Sequence, residues 1–402
     1  MNRDLKQIID HVIQQASPYN ALKKQLESAV FKDGRILVVS VGKAGWIMAR
    51  CAADCLGDRI SEGIVITKYG HSQGAIDGFE IYEAGHPLLD DNGIKASQRV
   101  WQLTEGLREN DSVLFLLSGG GSALFEIPAI PLEKLQEVSD QLIRSSAGIE
   151  EINTIRKRLS LVKGGRFAEH CSPARVHNYI LSDVIGNRLD MVASGPGVPD
   201  SSSDKEAEEI IEKYGLGPLP LLKTVRQLDN IETCVIGDVN TLAQSAKDIC
   251  TTLGYYSQIV STSLICQQPK AAEILLNKAQ ANQNTSISKA FIYAGEITME
   301  VTGSGKGGRN QHLALSCARG LKDMTSTTIL ALGSDGTDGP TEAAGGYVTS
   351  YSWTKSRKLK IDIDAYLRNC DSHEALKRLD QLIVTGSTNS NINDLYLILI
   401  KR

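Results

Sequence analysis

Short apolar runs rich in β-branched residues alternate along this chain with longer stretches whose apolar positions recur at helical spacing. Residues 35–41, 63–67, 112–117, 176–181, 233–236, 290–293, 327–332 and 395–400 read as strands. Runs such as ILVVSV and SVLFLL lack an in-and-out alternation, so they predict strands buried on both faces, as in parallel sheets covered by helices. The rhythm predicts an α/β protein with mainly parallel strands. Most of the runs end in Gly or Ser-Asp, which gathers loops at the carboxyl edge of a sheet, where open α/β sheets bind ligands.

Two breaker-rich stretches, GPGVPDSSSD at 195–204 and GLGPLPLL at 215–222, place the end of one domain near residue 225. The predicted domains are 1–225 and 226–402. The second restarts with the strand and turn of TCVIGDVN, followed by an Ala-rich helix over 241–253. The polar stretch 385–394 precedes LYLILI, an apolar strand so late in the chain that it must insert into a sheet already laid out. No repeat of 20–50 residues is present.

The length of 402 residues leaves room for two or three packed domains. With 43 basic against 47 acidic residues and a net charge of -4, the chain has no basic stripe, which argues against nucleic acid or a membrane surface as partner. A small molecule is the expected ligand. The eight cysteines form no CxxC pair and have no histidine spacing that closes a zinc site, so they read as reduced thiols. Cys51 and Cys55, one helical turn apart, read as two helix thiols. The N-terminus lacks the apolar stretch of a signal peptide and no segment reaches the length of a membrane helix, so a cytoplasmic protein is expected.

Five loops could carry chemistry. In VGKAG, Gly42 and Gly45 free backbone N–H groups for an anion and Lys43 adds a point charge; the Walker A spacing occurs nowhere. In SGGGS, the glycines Gly119, Gly120 and Gly121 between Ser118 and Ser122 are conformationally costly for a plain turn and suit a carboxylate or phosphate cradle. Ser122 does not stand in a GxSxG elbow. Asp183 directly follows a strand, where a carboxylate can hold Mg²⁺ or accept a hydroxyl proton, while Asp190 could serve the site or simply pair with Arg188. In GEITMEVTGSGKGGRNQHLAL, Gly303, Gly305 and Gly308 satisfy GxGxxG after a strand-like ITMEV run. Lys306 and Arg309 in the same loop suit a polyphosphate better than a single pyrophosphate, and His312 reads as a structural helix residue. The fifth loop carries Asp335, Asp338 and Glu342, without EF-hand spacing, and supplies carboxylates for a metal or a polyol.

Taken in order, VGKAG, GHPLLDDNG (85–93), SGGGSAL, INTIRKRLSLVKGGRFA (152–168), SDVIGN (182–187), ASGPGVPD (193–200), GSGKGGRNQHLAL, GSDGTDGPTEAAGG and NINDLYLILI resemble the glycerate 2-kinase family, whose C-terminal part carries the MOFRL signature. The resemblance covers nearly the whole chain. It implies a larger Rossmann-like N-terminal domain, a smaller α/β C-terminal domain and an active site in the cleft between them. It also implies transfer of the ATP γ-phosphoryl group to the 2-hydroxyl of D-glycerate. The family's functional lysine falls on Lys43 and its functional arginine on Arg309. The chain departs from the family's usual motifs at Leu89, Asn187 and Gly197, and at Ser387 and Ser390 in TGSTNSNINDL.

On this reading Lys43, Arg309 and Asp183 are catalytic. Ser118, Gly119, Gly120, Gly121, Ser122 and His86 surround the acceptor, and Gly303, Gly305, Lys306, Gly307, Gly308 and Asn310 meet the nucleotide. Asp183 and Asp335 are the candidate metal ligands, ATP and Mg²⁺ the expected cofactors, and a homodimer is among the expected states. The acceptor could also be a longer aldonate. A competing reading, an NAD(P)-dependent hydroxypyruvate reductase, would use the GxGxxG match, but its ribose-binding acid should come about 20 residues on. Asp335 lies 27 beyond Gly308. A third reading is a non-catalytic sensor of a sugar acid or nucleotide.

Overall fold

The all-buried runs ILVVSV and SVLFLL form neighbouring parallel strands at the centre of a six-stranded sheet. The structure is a computed structural model describing residues 1–186 and 188–402; Asn187, which closes the SDVIGN motif, lies outside the described residues. Strands β1 (Ile36–Val41), β2 (Ile60–Lys68), β3 (Phe79–Ala84), β4 (Ser112–Leu117), β5 (Arg175–Leu181) and β6 (Ile231–Gly237) lie in the order β3-β2-β1-β4-β5-β6. From β3 to β5 every pairing is parallel. The chain leaves β1 toward β2 and leaves β4 toward β5, so the direction of winding reverses at the β1/β4 seam. In open parallel sheets that reversal opens a crevice at the carboxyl edge. Helices cover both faces, and Phe115, Phe125 and Phe167 pack with ring centroids 4.8–5.9 Å apart in the core.

A second sheet contains β7 (Tyr256–Leu264), β8 (Lys289–Gly295), β9 (Thr327–Gly333), β10 (Gly345–Thr349), β11 (Leu382–Ile383) and β12 (Asp394–Ile400). Its order is β11-β10-β9-β12-β8-β7. The terminal strand β12 is inserted between β8 and β9, antiparallel to both and buried at all seven positions, as the apolar LYLILI run predicts. This sheet is mixed, so the expectation of mainly parallel strands holds only for the first.

The chain divides into two compact units, Pro18–Ile236 on the one hand and Met1–Ser17 with Gly237–Arg402 on the other. The boundary falls eleven residues later than the expected 225/226, because Thr233–Ile236 pairs into the first sheet as part of β6. The N-terminal helix Arg3–Gln15 also departs from the predicted 1–225 domain: it buries Leu5, Ile8, Ile9 and Val12 within the second unit. Its Asp4 carboxylate accepts hydrogen bonds from Tyr255 (2.8 Å) and Lys401 (2.6 Å).

A buried ionic clamp shapes the first unit. Lys157, at the end of helix Ile149–Arg158, donates to Asp190 at 2.9 Å and to Asp200 at 2.7 Å, and next to it Arg158 reaches Asp204 and Ser202. This ties down segment 190–204, in which the consecutive residues Ala193 and Ser194 have φ of 50° and 62°. Left-handed backbone costs an L-residue about 1–2 kcal/mol, so the clamp must hold this turn in place. Burial works against both carboxylates, but Arg188 and Lys157 at Asp190, and Lys157 at Asp200, keep their pKa values below the ordinary range.

Lys157→Met should therefore cost about 3 kcal/mol, toward the lower end for a broken buried pair, since it removes the cation shared by two buried carboxylates and leaves Asp190 to Arg188 and Asp200 to Arg158 at 3.6 Å. Urea unfolding at pH 7 measures this, and Asp190→Asn, which leaves the Lys157–Asp200 pair, should cost less. Carboxylates with lowered folded-state pKa values stabilise fully above the unfolded value and lose that contribution on acidification. The gap between wild type and Lys157→Met should thus narrow below about pH 4.

Candidate active site

The loops after β1 and β4 meet at the switch point and are locked together through their backbones. The Lys43 N–H donates to the Gly119 carbonyl (2.9 Å), the Ala44 N–H to Ser118 Oγ (3.1 Å), and the Ser118 N–H to the Val41 carbonyl (2.9 Å). Gly42, at φ +120°, leaves no room for a Cβ, which would overlap Ser118. Ser118 is buried, and its hydroxyl also donates to the Val41 carbonyl. It therefore holds the seam and does not present its hydroxyl to a ligand, contrary to the expected cradle role. Gly119 and Gly121 are buried as well, and a Cβ on Gly121 would sit 2.6 Å from that of Ala193. Only Gly120 and Ser122 of the SGGGS loop reach the surface. The following helix, Gly121–Leu124, is a single turn.

Lys43 and His86 face the loop at Gly120, where an added Cβ would lie 3.0 Å from the His86 ring and 3.4 Å from Lys43 Cγ. His71 joins them, its Nδ1 3.2 Å from the Lys43 carbonyl. Burial, reinforced by Lys43, Lys68 and His71, pushes the His86 pKa down to about 4. Among the described residues neither the Lys43 nor the Lys68 ammonium forms an ion pair or a side-chain hydrogen bond. The nearest carboxylates are already engaged, Glu83 by the N–H groups of Gly70 and Ser72 and Asp90 by Tyr69 and the Gly93 N–H, so the lysines beside the two imidazoles suit an anion. Asp183 stands half-buried two residues beyond β5, at the same carboxyl edge. Asp190 belongs to the clamp, where Arg188 pairs with it at 3.1 Å.

In the second unit a cavity of about 590 Å³ is bounded by Ile297, Met299 and Val301 on an apolar side and by Arg309, Asp335 and Thr337 on a polar one. Arg309 is held at 2.6 Å by Asp394 and at 2.9 Å by Glu296. Burial opposes its charge, but these two carboxylates hold the guanidinium firmly protonated. Asp338 caps helix Arg309–Cys317, accepting from the N–H groups of Asn310 (3.1 Å) and Gln311 (2.8 Å). Burial foremost, with Asp394 adding, pushes the Asp338 carboxyl up to about 6.

The glycine loop 303–308 differs from its sequence reading. ITMEV forms no strand, and β8 has already ended at Gly295. The N–H groups of Ser304, Gly305 and Lys306 donate to Asn369 and Asp371, so they are not available as a phosphate cradle. A Cβ on Gly303 or Gly305 would strike residues 369–371, on Gly307 the Ser372 hydroxyl, and on Gly308 the Asp338 carboxylate. These glycines permit close packing. Lys306 is exposed and Asn310 is buried in the cavity wall, while His312 is half-buried in the helix beyond. Among the described residues no group of three or more His, Cys, Asp or Glu could hold a metal, and the candidate ligands Asp183 and Asp335 belong to different units. Asp338 belongs to the acidic loop singled out in the sequence, where it caps the helix, whereas Glu296 and Asp394 were missed as site residues; the signal for Asp394 was the Asn-Asp pair ahead of LYLILI.

Residues 4–228 match the family described as domain of unknown function DUF4147, and residues 289–394 match the MOFRL family. Over 98% of its length the chain is 45% identical to the D-glycerate 2-kinase of Thermotoga maritima, covering 97% of that protein. It is 33% identical to the glycerate 2-kinase of Pyrococcus horikoshii, with coverage of 98% and 96%. A crystal structure of glycerate kinase from Thermotoga maritima superposes with a TM-score of 0.94 at 43% identity, covering 99% of each chain.

His86 should titrate near 4 by NMR in the ligand-free chain. Saturating inorganic phosphate should move its midpoint upward, because a bound anion favours the imidazolium. A midpoint indifferent to phosphate would remove His86 from the anion pocket.

Proposed function

The chain belongs to the glycerate 2-kinase family, and from that premise we propose that it transfers the γ-phosphoryl group of ATP to the 2-hydroxyl of D-glycerate. The observation that carries the proposal is the cluster of Lys43 and Lys68 beside His71 and His86, in which neither lysine has an ion-pair partner among the described residues. Phosphoryl transfer depends mainly on positioning and on charge stabilisation. Lys43 and Arg309 are assigned to the transferring group, where each would neutralise charge that develops in the transition state. Neutral at pH 7, His86 can exchange a hydrogen bond with the acceptor without adding a further charge.

The cavity beside Arg309 fits a nucleotide: its volume is that of a ligand pocket, with an apolar side for a base and a cation for phosphate. Mg²⁺ carried by nucleotide phosphates needs only one or two protein carboxylates. Asp335, in the cavity wall with Oδ1 fixed by the Thr337 N–H at 2.9 Å, would supply one, and the ion would neutralise phosphate charge. Asp183 is assigned to the acceptor hydroxyl as base, or to the metal as a second anchor. All eight cysteines are free thiols, which suits a reducing cytoplasm.

The reductase reading has no structural footing in the glycine loop. A dinucleotide fingerprint needs a strand leading directly into the loop and a parallel βαβ unit. Here the loop begins after β8 has ended, and antiparallel β12 separates β8 from β9.

Lys43→Ala and Arg309→Ala should each lower kcat by about 100-fold or more with little loss of fold, since both removed groups act on transition-state charge. Near-normal kcat in either variant would reject that residue's role. Asp183→Asn should abolish most activity and shift the Mg²⁺ or pH dependence of the remainder. If loss comes with both dependences unchanged, Asp183 is neither base nor metal anchor. Phosphorus NMR of the product from ATP and D-glycerate reads the regiochemistry, and a 3-phospho product would contradict the proposed acceptor atom.

A further inference from the structure

We propose that Arg156 binds the carboxylate of the acceptor and, with Ser122, Ser194 and Asn153, forms a subsite for a 2-hydroxy acid. The proposal rests on the kinase reading above and assigns a residue to which that reading gives no task.

From 153 to 160 every residue is buried except Arg156, which alone reaches the surface. It does so beside the SGGGS loop, with Nη2 donating to the Ser122 carbonyl at 2.9 Å. Its Nε is buried without a hydrogen-bond partner. A guanidinium presents five N–H donors in a rigid plane, and this one is incompletely satisfied in the ligand-free chain. One turn earlier on the same helix, Asn153 Oδ1 accepts from Ser194 Oγ at 2.7 Å, and Ser194 Oγ lies 3.1 Å from Ser122 Oγ. The main chain of Ser122 is thus held by Arg156, and its side chain by Ser194, which Asn153 holds in turn. The strained turn at Ala193 and Ser194 is what brings the Ser194 hydroxyl to this point.

The chemistry of the acceptor supplies the rest. A 2-hydroxy acid brings a planar carboxylate, which a guanidinium fork matches and a lysine point charge does not. Gly120, facing Lys43 and His86, and Ser122, facing Arg156, are two residues apart. That is at most about 7 Å of chain, a span that a short acid carrying a phosphoryl group can cover. Arg156 and Lys43 then serve different ends of the substrate, the carboxylate and the reacting oxygen.

Steady-state assays with D-glycerate and with its neutral methyl ester test the subsite. Arg156→Gln should raise KM for glycerate by about 10- to 100-fold, the range for a lost charged hydrogen bond. KM for ATP and kcat/KM for the ester should stay within about twofold, so the preference for the charged acceptor collapses; Arg156→Lys should restore part of it. If Arg156 only pins Ser122, both acceptors fall together, and the proposal is overturned. Calorimetric titration of the full chain with D-glycerate separates this proposal from the kinase reading. Glycerate binding that requires Arg156, in a wild-type protein that transfers no phosphoryl group, sinks the kinase reading and supports the subsite. Unaltered glycerate binding in Arg156→Gln, or none in the wild type, overturns the subsite whatever the activity.

Discussion

The functional end of the first unit hangs on the close approach of two backbones at the β1/β4 seam. Because Gly42 has no Cβ, Ser118 can lie against it and accept the Ala44 N–H while donating to Val41. That contact fixes where Lys43 leaves the strand and where Gly120 begins its left-handed turn at φ +91°. A methyl group at Gly42 would meet backbone as well as the Ser118 hydroxyl, so the loops could separate but not adjust. Lys43 owes its position to the seam, since its own N–H is one of the hydrogen bonds that close it.

The Lys157 clamp supports the same loop through the turn at Ala193 and Ser194. Buried ion pairs are weak arguments for stability, because desolvation offsets much of the attraction. Here the clamp holds a specific conformation: Lys157, Asp190 and Asp200 bracket the turn at Ala193 and Ser194, and that turn touches both Gly121 and Ser122. A neutral, well-packed substitute can match a buried ion pair in stability, but apolar packing is non-directional and would not by itself enforce two successive left-handed residues. The charges are best understood as the means of fixing Ser194 against Ser122.

Strands β1, β4 and β5 of the first unit were legible because they are buried on both faces and announce themselves as apolar runs. Strands β3 and β7 were not, since each lies at a sheet edge, with Glu80 and Glu83 in the one and a Ser- and Thr-rich SQIVSTS in the other. Strand β10 begins with two glycines, and a Cβ on Gly345 would strike the Ala331 carbonyl, so close strand contact looks in sequence like a turn. The switch-point residues Lys43 and His86 could be read from their motifs, whereas Arg156 sits inside a basic helix where Lys157 and Arg158 look equally eligible. Only burial separates them: two are enclosed in the clamp and one reaches the loop. The glycine-rich 303–308 loop misled for a related reason, because glycine for close packing and glycine for phosphate are indistinguishable in a string of letters.

Charge balance in the second unit constrains what its cavity can accept. Asp335, Asp338 and Asp394 line it, with Arg309 the cation among them already engaged by Asp394 and Glu296. The raised pKa values of Asp338 and Asp394, due first to burial, mark a region where negative charge is already unfavourable. A bare polyphosphate would add to that repulsion, while the helix N–H groups that could offset it at Asn310 and Gln311 are taken by Asp338. A phosphate ligand is compatible with these walls when it brings its own divalent cation, or when it takes the place of Glu296, the exposed and more easily displaced of the two partners of Arg309. With the N–H groups of Ser304, Gly305, Lys306, Asn310 and Gln311 all taken up, a nucleotide of the kind proposed suits these walls better with its metal than as a free anion.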